Sequence, residues 1–129
     1  MADATSSPSA QSSPDPPSRP LVAPRALVTL SPPTPRRGEP FEVRALVAHP
    51  METGHRVDAL GNRVPRDIVR RIECRLDGEL VFAVDLHPAI AANPYMVFPL
   101  LAQAEGTLVV SWSGDRGFAH SVSVPLELL

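Results

Sequence analysis

The chain has 129 residues, of which 43% are hydrophobic, and a formal net charge of -2 at pH 7. This length fits one soluble domain with a single core. The sequence contains no apolar stretch near the ~18 residues of a membrane span and no basic start followed by an apolar run, which argues against a transmembrane helix and a signal peptide. By itself it predicts a cytoplasmic protein with no membrane partner.

The first 24 residues differ in composition from the rest of the chain. Residues 1–24 contain six Pro and six Ser and hardly a bulky apolar side chain. Such a segment cannot bury enough surface to offset the entropy of ordering it. The sequence therefore predicts a disordered Pro/Ser-rich tail over 1–24 and one folded domain over 25–129.

Seven short strands are predicted in that domain. The pattern is clearest in 41–47, where Phe41, Val43 and Val47 share one face and Glu42 and Arg44 the other. Turn signals about every ten residues and the lack of a long helical pattern favour an all-β, two-sheet antiparallel sandwich. The predicted strands cover 25–30, 41–47, 68–76, 79–86, 95–102, 107–113 and 118–124.

Turn residues and prolines place some of these strands more closely. Asp77-Gly78 predicts a two-residue hairpin, and the segment 114–117 predicts the hairpin between the last two strands. Pro99 restricts the strand over 95–102 to an edge or a bulge, because its missing donor would break a ladder bond elsewhere. Pro88 and the Asn93-Pro94 pair bound a brief helical turn.

Two bent segments interrupt these strands, and each begins with His-Pro. The first reads His49-Pro50-Met51-Glu52-Thr53-Gly54-His55-Arg56 and the second His87-Pro88-Ala89-Ile90-Ala91-Ala92-Asn93-Pro94-Tyr95. Proline removes a backbone donor, and glycine permits angles that other residues resist, so neither strand runs straight through. Together with Pro65-Arg66-Asp67-Ile68 between them, these long strings resemble the Z-subunit family, SoxZ, of the SoxYZ sulfur carrier. The resemblance covers roughly residues 25 to 129.

The resemblance implies an immunoglobulin-like sandwich and a non-catalytic subunit of a heterodimer in bacterial thiosulfate oxidation. The implied partner is a SoxY-type subunit, whose C-terminal Gly-Gly-Cys-Gly-Gly arm carries sulfur intermediates, with other thiosulfate-oxidation enzymes as transient partners. It also implies co-export to the periplasm with that subunit, which reverses the cytoplasmic prediction. No cofactor is expected. An immunoglobulin-like adhesion or scaffold module unrelated to sulfur metabolism is the alternative.

We expect the two bends to lie close together and to form the partner-binding surface. Met51 would supply adaptable contact area and Tyr95 amphipathic contact area. The alternative is that the bends only stabilise the sandwich, with Asn93 and the histidines satisfying buried carbonyls. The candidate partner-binding residues are His49, Pro50, Met51, Glu52, Thr53, Gly54, His87, Asn93, Pro94 and Tyr95.

Other chemistry finds little support in the sequence. His49, His55 and His87 match no compact metal-ligand spacing, so no metal site is predicted. Cys74, the only cysteine, falls on the inward phase of its strand and is predicted to be a core residue, and no catalytic motif is present.

The basic residues do not indicate nucleic acid. Five of the twelve arginines lie within 63–75, but Asp67 and Glu73 interrupt them and no aromatic residues are interleaved. Solvated strand faces or a protein interface fit this cluster better, and no nucleic-acid partner is predicted.

Overall fold

A computed structural model describes residues 25–88 and 90–129. The predicted tail over 1–24 lies outside the described residues, as does Ala89 within the predicted helical turn. Next to Ala89, the Ile90 N–H donates to the His87 carbonyl at 3.0 Å. No helix in the described part of the chain is long and apolar enough to cross a membrane.

Within residues 25–88 and 90–129, seven strands form two antiparallel sheets, which confirms the predicted immunoglobulin-like sandwich. Sheet A has the strand order β1-β2-β5 and sheet B the order β4-β3-β6-β7. A single 3₁₀ turn, Asp115–Gly117, joins the last two strands. The strands are β1 (Ala26–Ser31), β2 (Pro40–Val47), β3 (Val69–Leu76), β4 (Glu79–Asp85), β5 (Tyr95–Leu101), β6 (Gly106–Gly114) and β7 (Ala119–Leu126).

The core lies between the inner faces of the two sheets. On β2 every second residue is buried, as the alternating pattern predicts. From sheet B, Ile72, Leu108 and Trp112 reach the same core. At the side where β4 faces β5, the rings of Phe82 and Phe98 stack with centroids 3.9 Å apart, which ties the two sheets together.

The position of Pro99 follows from the ladder between β2 and β5. The Val47 N–H donates to the Pro94 carbonyl, so Val47 and Pro94 form a hydrogen-bonded pair. Because such pairs alternate along an antiparallel ladder, Pro99 opposite Glu42 occupies a non-hydrogen-bonded pair, with its nitrogen toward the open edge. The predicted edge position is confirmed, and no ladder bond to β2 is lost.

The C-terminal segment, residues 126–129, is held against its own domain. Leu126 is buried in the core. The Leu128 N–H donates to a Glu105 carboxylate oxygen and the Leu129 N–H to the Pro35 carbonyl. The segment lies on its own domain because it continues the edge strand β7. Leu129 is a large apolar residue of this segment that stays exposed.

Candidate functional site: two interlocked bends

The two bends meet at one end of the sandwich, as the sequence predicts. We call residues 49–55 bend 1 and residues 87–95 bend 2. The His49 N–H donates to Asn93 Oδ1 at 2.9 Å, and the His49 carbonyl accepts the Asn93 N–H at 2.7 Å. Asn93 has a φ of 53°, a left-handed conformation that asparagine tolerates better than most residues. Its side chain and backbone therefore close the junction from both sides.

The His49 ring is a structural element of this junction. The residue is 5% exposed. Its Nδ1 accepts the Met51 N–H at 3.0 Å, which places the proton of the neutral ring on Nε2. Nε2 lies 3.6 Å from Asp67 Oδ1, and the ring packs edge-on against Phe118, 4.8 Å away. His49 thus connects bend 1 to the segment before β3 and to the start of β7.

Met51 anchors bend 1 in the core. It is 4% exposed, and its sulfur accepts the Val69 N–H at 3.2 Å. Its φ of 54° turns the chain at this point. The prediction that Met51 supplies contact surface is wrong, because this turn directs the side chain inward to pack at the first residue of β3.

The rest of bend 1 is held against residues 66 and 67. Glu52 and Asp67 exchange two backbone hydrogen bonds of 2.8 and 2.7 Å. Gly54 has a φ of 90°, and a Cβ there would lie 3.1 Å from the Arg66 Cβ, so both conformation and space favour glycine. The Thr53 hydroxyl accepts the His55 N–H. The string Pro65-Arg66-Asp67-Ile68 is therefore part of this site.

An ion-paired aspartate fixes the turn between β6 and β7 to the same segment. The Asp115 carboxylate accepts hydrogen bonds from two guanidinium nitrogens of Arg66, each at 2.8 Å, and from the Ile68 N–H at 3.2 Å. The Asp115 N–H donates to the Ile68 carbonyl. The hydrogen bond from Arg66 lowers the pKa of Asp115 below its usual value, although partial burial acts in the opposite direction.

We expect this carboxylate to make stability depend on pH. Because its pKa is lowered in the folded state, Asp115 stabilises the fold above its unfolded-state pKa of about 4, and that contribution is lost as the pH falls through the folded-state pKa. Asp115→Asn should therefore melt below the wild type at pH 7, with a smaller difference at pH 3. Arg66→Gln removes the main cause of the lowered Asp115 pKa, so its melting temperature should depend on pH in the same way as that of Asp115→Asn. A difference in melting temperature that does not change with pH would contradict this assignment.

The predicted partner-binding residues divide by exposure. Three are buried and face the core or the junction: His49, Met51 and Pro94. Three are half-buried: Glu52, Thr53 and Gly54. Four are exposed: Pro50, His87, Asn93 and Tyr95. The four exposed residues are accessible to solvent, and their role in partner binding remains a prediction.

Cys74 lies in the core, as predicted. Its side chain is fully buried, and its neighbours across the sheet are Phe82 on β4 and Val110 on β6. Burial raises the pKa of the thiol to about 11. The thiol is therefore protonated at neutral pH and is a poor nucleophile.

Replacing Cys74 with Ser is expected to lower the free energy of unfolding by about 1–3 kcal/mol, because it buries a hydroxyl among apolar side chains. Cys74→Ala is the matched control, since it adds no polar group and leaves a small cavity. Denaturant titration measures both variants. A Ser variant as stable as the wild type would contradict the apolar environment assigned to this position.

The arrangement presents a surface whose shape is fixed by the hydrogen bonds between the two bends. Among residues 25–88 and 90–129, no cluster of three His, Cys, Asp or Glu side chains has a geometry suited to a metal ion. Sequence reasoning missed two contributors, Asp115 and Phe118. Both act across long sequence separations, and an aspartate in a turn or a phenylalanine next to a strand carries no local signal of such a contact.

The geometry defines a two-sheet β-sandwich domain with interlocked His-Pro bends at one end. The chain belongs to the SoxZ family, because the family model described as "Sulphur oxidation protein SoxZ" matches residues 29–125. Proteins of this family act in sulfur oxidation. No curated protein matches the chain.

Solved structures share the fold at low identity. The superoxide reductase (neelaredoxin) from Ignicoccus hospitalis is 20% identical with a TM-score of 0.61, and the match covers 81% of this chain and 80% of that chain. The crystal structure of CHIR-AB1 is 13% identical with a TM-score of 0.54, and the match covers 83% of this chain and 100% of that chain. At these identities the likeness shows the fold alone.

Proposed function

We propose that this chain is the non-catalytic subunit of a SoxYZ-type sulfur carrier. It pairs with a Y-type subunit, whose C-terminal cysteine arm carries sulfur intermediates during thiosulfate oxidation. The observation that carries this proposal is membership of the SoxZ family over residues 29–125. The pair works in the periplasm, which this chain reaches by export together with the Y-type subunit.

The buried cysteine supports the assignment of sulfur carriage to the partner subunit. A sulfur carrier needs an accessible thiolate that forms and releases a sulfur bond. Cys74 is buried and protonated at neutral pH, and the sequence has no other cysteine. The covalent step therefore belongs to the partner, and Cys74→Ser should retain sulfur transfer in the paired complex.

The hydrogen-bonded bends support a role in presenting a contact surface to other proteins. Hydrogen bonds on both sides of the junction fix Asn93, and Tyr95 follows it at the start of β5 with 60% of its surface exposed. Fixed aromatic groups make good contacts because little entropy is lost when they bind. We assign the exposed residues of the bends to contacts with the carrier subunit or with the pathway enzymes.

Two measurements test the proposal. The chain co-expressed with a Y-type carrier subunit should purify as a stable heterodimer, and the pair should support thiosulfate turnover by the remaining enzymes of the pathway. Tyr95→Ala should melt close to the wild type while turnover falls. A chain that purifies as a monomer and does not bind the Y-type subunit would refute the proposal and favour an adhesion or scaffold role.

A further inference from the structure

The arginine cluster of residues 63–75 divides between two parts of the structure. Arg71 and Arg75, on β3, pair with Glu73 at 2.7 and 3.1 Å. These three side chains lie on the outer face of sheet B, and such a paired, polar face is typical of a sheet that meets water. The other members of the cluster, Arg63, Arg66 and Arg70, lie at the end of the sandwich that carries the two bends.

Formal charge is distributed unevenly along the strand direction. We call residues 25, 48–70, 86–94 and 114–118 the bend end of the sandwich, and residues 32–39, 77–79, 102–105 and 127–129 the far end. The bend end carries six arginines and four acidic side chains, a net formal charge of +2. The far end carries two arginines and five acidic side chains, a net formal charge of -3. The two ends therefore differ in sign, although the whole chain has a formal charge of only -2.

Two acidic side chains of the bend end are neutralised by arginines of the same end. Asp115 binds Arg66 at 2.8 Å, and Arg70 lies 3.8 Å from the same carboxylate. Glu52 binds Arg56 at 2.8 Å. Because two arginines share Asp115, this group of five side chains keeps an excess of one positive charge.

The remaining acidic side chains of the bend end are also engaged within the domain. Asp58 accepts two backbone N–H groups of its own loop, and Asp67 lies 3.6 Å from Nε2 of His49. Among the residues that the structure describes, three arginines of this end form no ion pair: Arg25, Arg63 and Arg116. The positive charge that they carry is therefore available to a partner.

Arg116 occupies a backbone conformation that arginine rarely adopts. Its φ of 58° and ψ of 31° place it in the left-handed region, where glycine or asparagine is the more usual residue. The residue is exposed, so packing in the core does not explain the arginine either. Strained residues of this kind cluster at functional sites, which indicates a function for this side chain.

Arg116 lies at a depression between bend 1 and the turn that joins β6 to β7. The depression has a volume of about 290 Å³ and is lined by Pro50, Glu52, Val64, Pro65, Asp67 and Arg116. Its two acidic residues are among those already engaged. Arg63 directly precedes the lining residue Val64, and its guanidinium donates to the Gly54 carbonyl of bend 1 at 3.2 Å. Arg63 and Arg116 therefore belong to the same concave part of the bend end.

The mixture of charges at the bend end favours a protein as its partner. Arginine binds a carboxylate through two parallel hydrogen bonds, so an arginine without an ion pair fits an acidic side chain. The acidic residues that stand between the arginines would repel a uniformly anionic surface, such as lipid headgroups or a nucleic-acid backbone. The bend end therefore fits an acidic protein surface whose carboxylates are spaced to meet the arginines.

We propose that the bend end is the surface through which this subunit meets an acidic surface on an enzyme that acts on the carrier, with Arg63 and Arg116 as contact residues. This inference rests on the proposed function. The separation of charge also orients the encounter, because the far end repels the acidic surface that the bend end attracts. Such steering raises the association rate and weakens as salt screens the charges.

Removing charge from each end in turn tests the assignment. The bend-end variant combines Arg63→Gln with Arg116→Gln, and the matched control combines Arg36→Gln with Arg37→Gln, which removes the same charge from the far end. Each chain is paired with a Y-type subunit and titrated in thiosulfate turnover at about 50 and 200 mM salt. We expect the bend-end variant to raise the KM for the carrier pair at least about fivefold at the lower salt, with kcat unchanged and most of the salt dependence lost. The control should stay within about twofold of the wild type.

Two further variants at position 116 separate contact from backbone strain. Arg116→Gly relieves the left-handed conformation, so it should melt at or above the wild type and still raise the KM. Arg116→Lys keeps the charge without the planar fork of donors, so its KM should lie between those of the wild type and Arg116→Gln. If Arg116→Gly left the KM unchanged, Arg116 would not be a contact residue.

The outcomes separate this proposal from the proposed function. If the wild-type pair does not form or supports no turnover, the proposed function fails. If the pair works and both charge variants change the KM equally, only the enzyme contact is wrong. If the bend-end variant no longer pairs with the Y-type subunit, that subunit covers the bend end and the enzyme contact is overturned. The same conclusion follows if the variant keeps its KM but loses binding to vesicles of anionic lipid.

Discussion

Replacing Met51 with Ala is expected to lower the free energy of unfolding by about 3 kcal/mol. The side chain is almost fully buried, and its removal leaves a cavity between bend 1 and β3 as well as a lost transfer energy. It also removes the sulfur that accepts the Val69 N–H. Denaturant titration at neutral pH measures the change directly.

Leu60→Ala is the control for this variant. Leu60 is another large apolar residue between β2 and β3, but 86% of its surface is exposed, so its replacement should change stability by less than about 0.5 kcal/mol. Equal stability of the two variants would mean that Met51 does not anchor the bend. A folded Met51→Ala chain with normal stability and lost thiosulfate turnover would restore the contact role that the sequence suggests.

Replacing Asn93 with Ala is expected to cost about 2–4 kcal/mol. The His49 N–H loses its acceptor at a partly buried position, which costs about 1–3 kcal/mol. Alanine must also adopt the left-handed conformation of residue 93, which costs roughly 1 kcal/mol more. Thermal and denaturant unfolding measure the total.

Two further variants at position 93 separate these causes. Asn93→Asp keeps a side-chain oxygen in place and should be the least destabilised. Asn93→Gly lacks the acceptor but accepts the conformation without strain, so it should fall between Asp and Ala. If Asp were as costly as Ala, the hydrogen bond to His49 would not be the stabilising contact, and if Gly matched Ala, the strain would be absent.

The fold could be predicted well from the sequence because its signals are local. The alternation of apolar residues predicted the strands, as on β2, and the Asp77-Gly78 pair predicted a hairpin. Pro99 indicated an edge because the missing donor restricts proline wherever it occurs. Each of these rules uses only neighbouring residues, and the structure obeys each of them.

The candidate site was predicted less completely because its contacts are distant in sequence. The strings that resemble the family located both bends, but no local rule gave the direction of the Met51 side chain, which depends on a positive φ. The hydrogen bond between His49 and Asn93 spans 44 residues. The ion pair of Arg66 with Asp115 is equally remote and carries no sequence signal.

The row of exposed apolar residues across sheet A could not be recognised from the sequence at all. Leu27, Leu46 and Tyr95 each stand alone among ordinary strand residues, and a single exposed apolar side chain means little. They become one surface only through the register of β1 and β5 on β2. Pairing between distant strands, rather than any local pattern, creates this feature.

We propose that this chain holds the carrier subunit and carries no sulfur itself. Intact-mass measurement of the co-purified heterodimer, after incubation with thiosulfate and the enzymes that load the carrier, tests it most directly. We expect a sulfur adduct on the Y-type subunit and an unchanged mass for this chain, because Cys74 is buried and protonated. An adduct that appears on this chain with the complex still folded, and disappears in Cys74→Ser, would contradict the account.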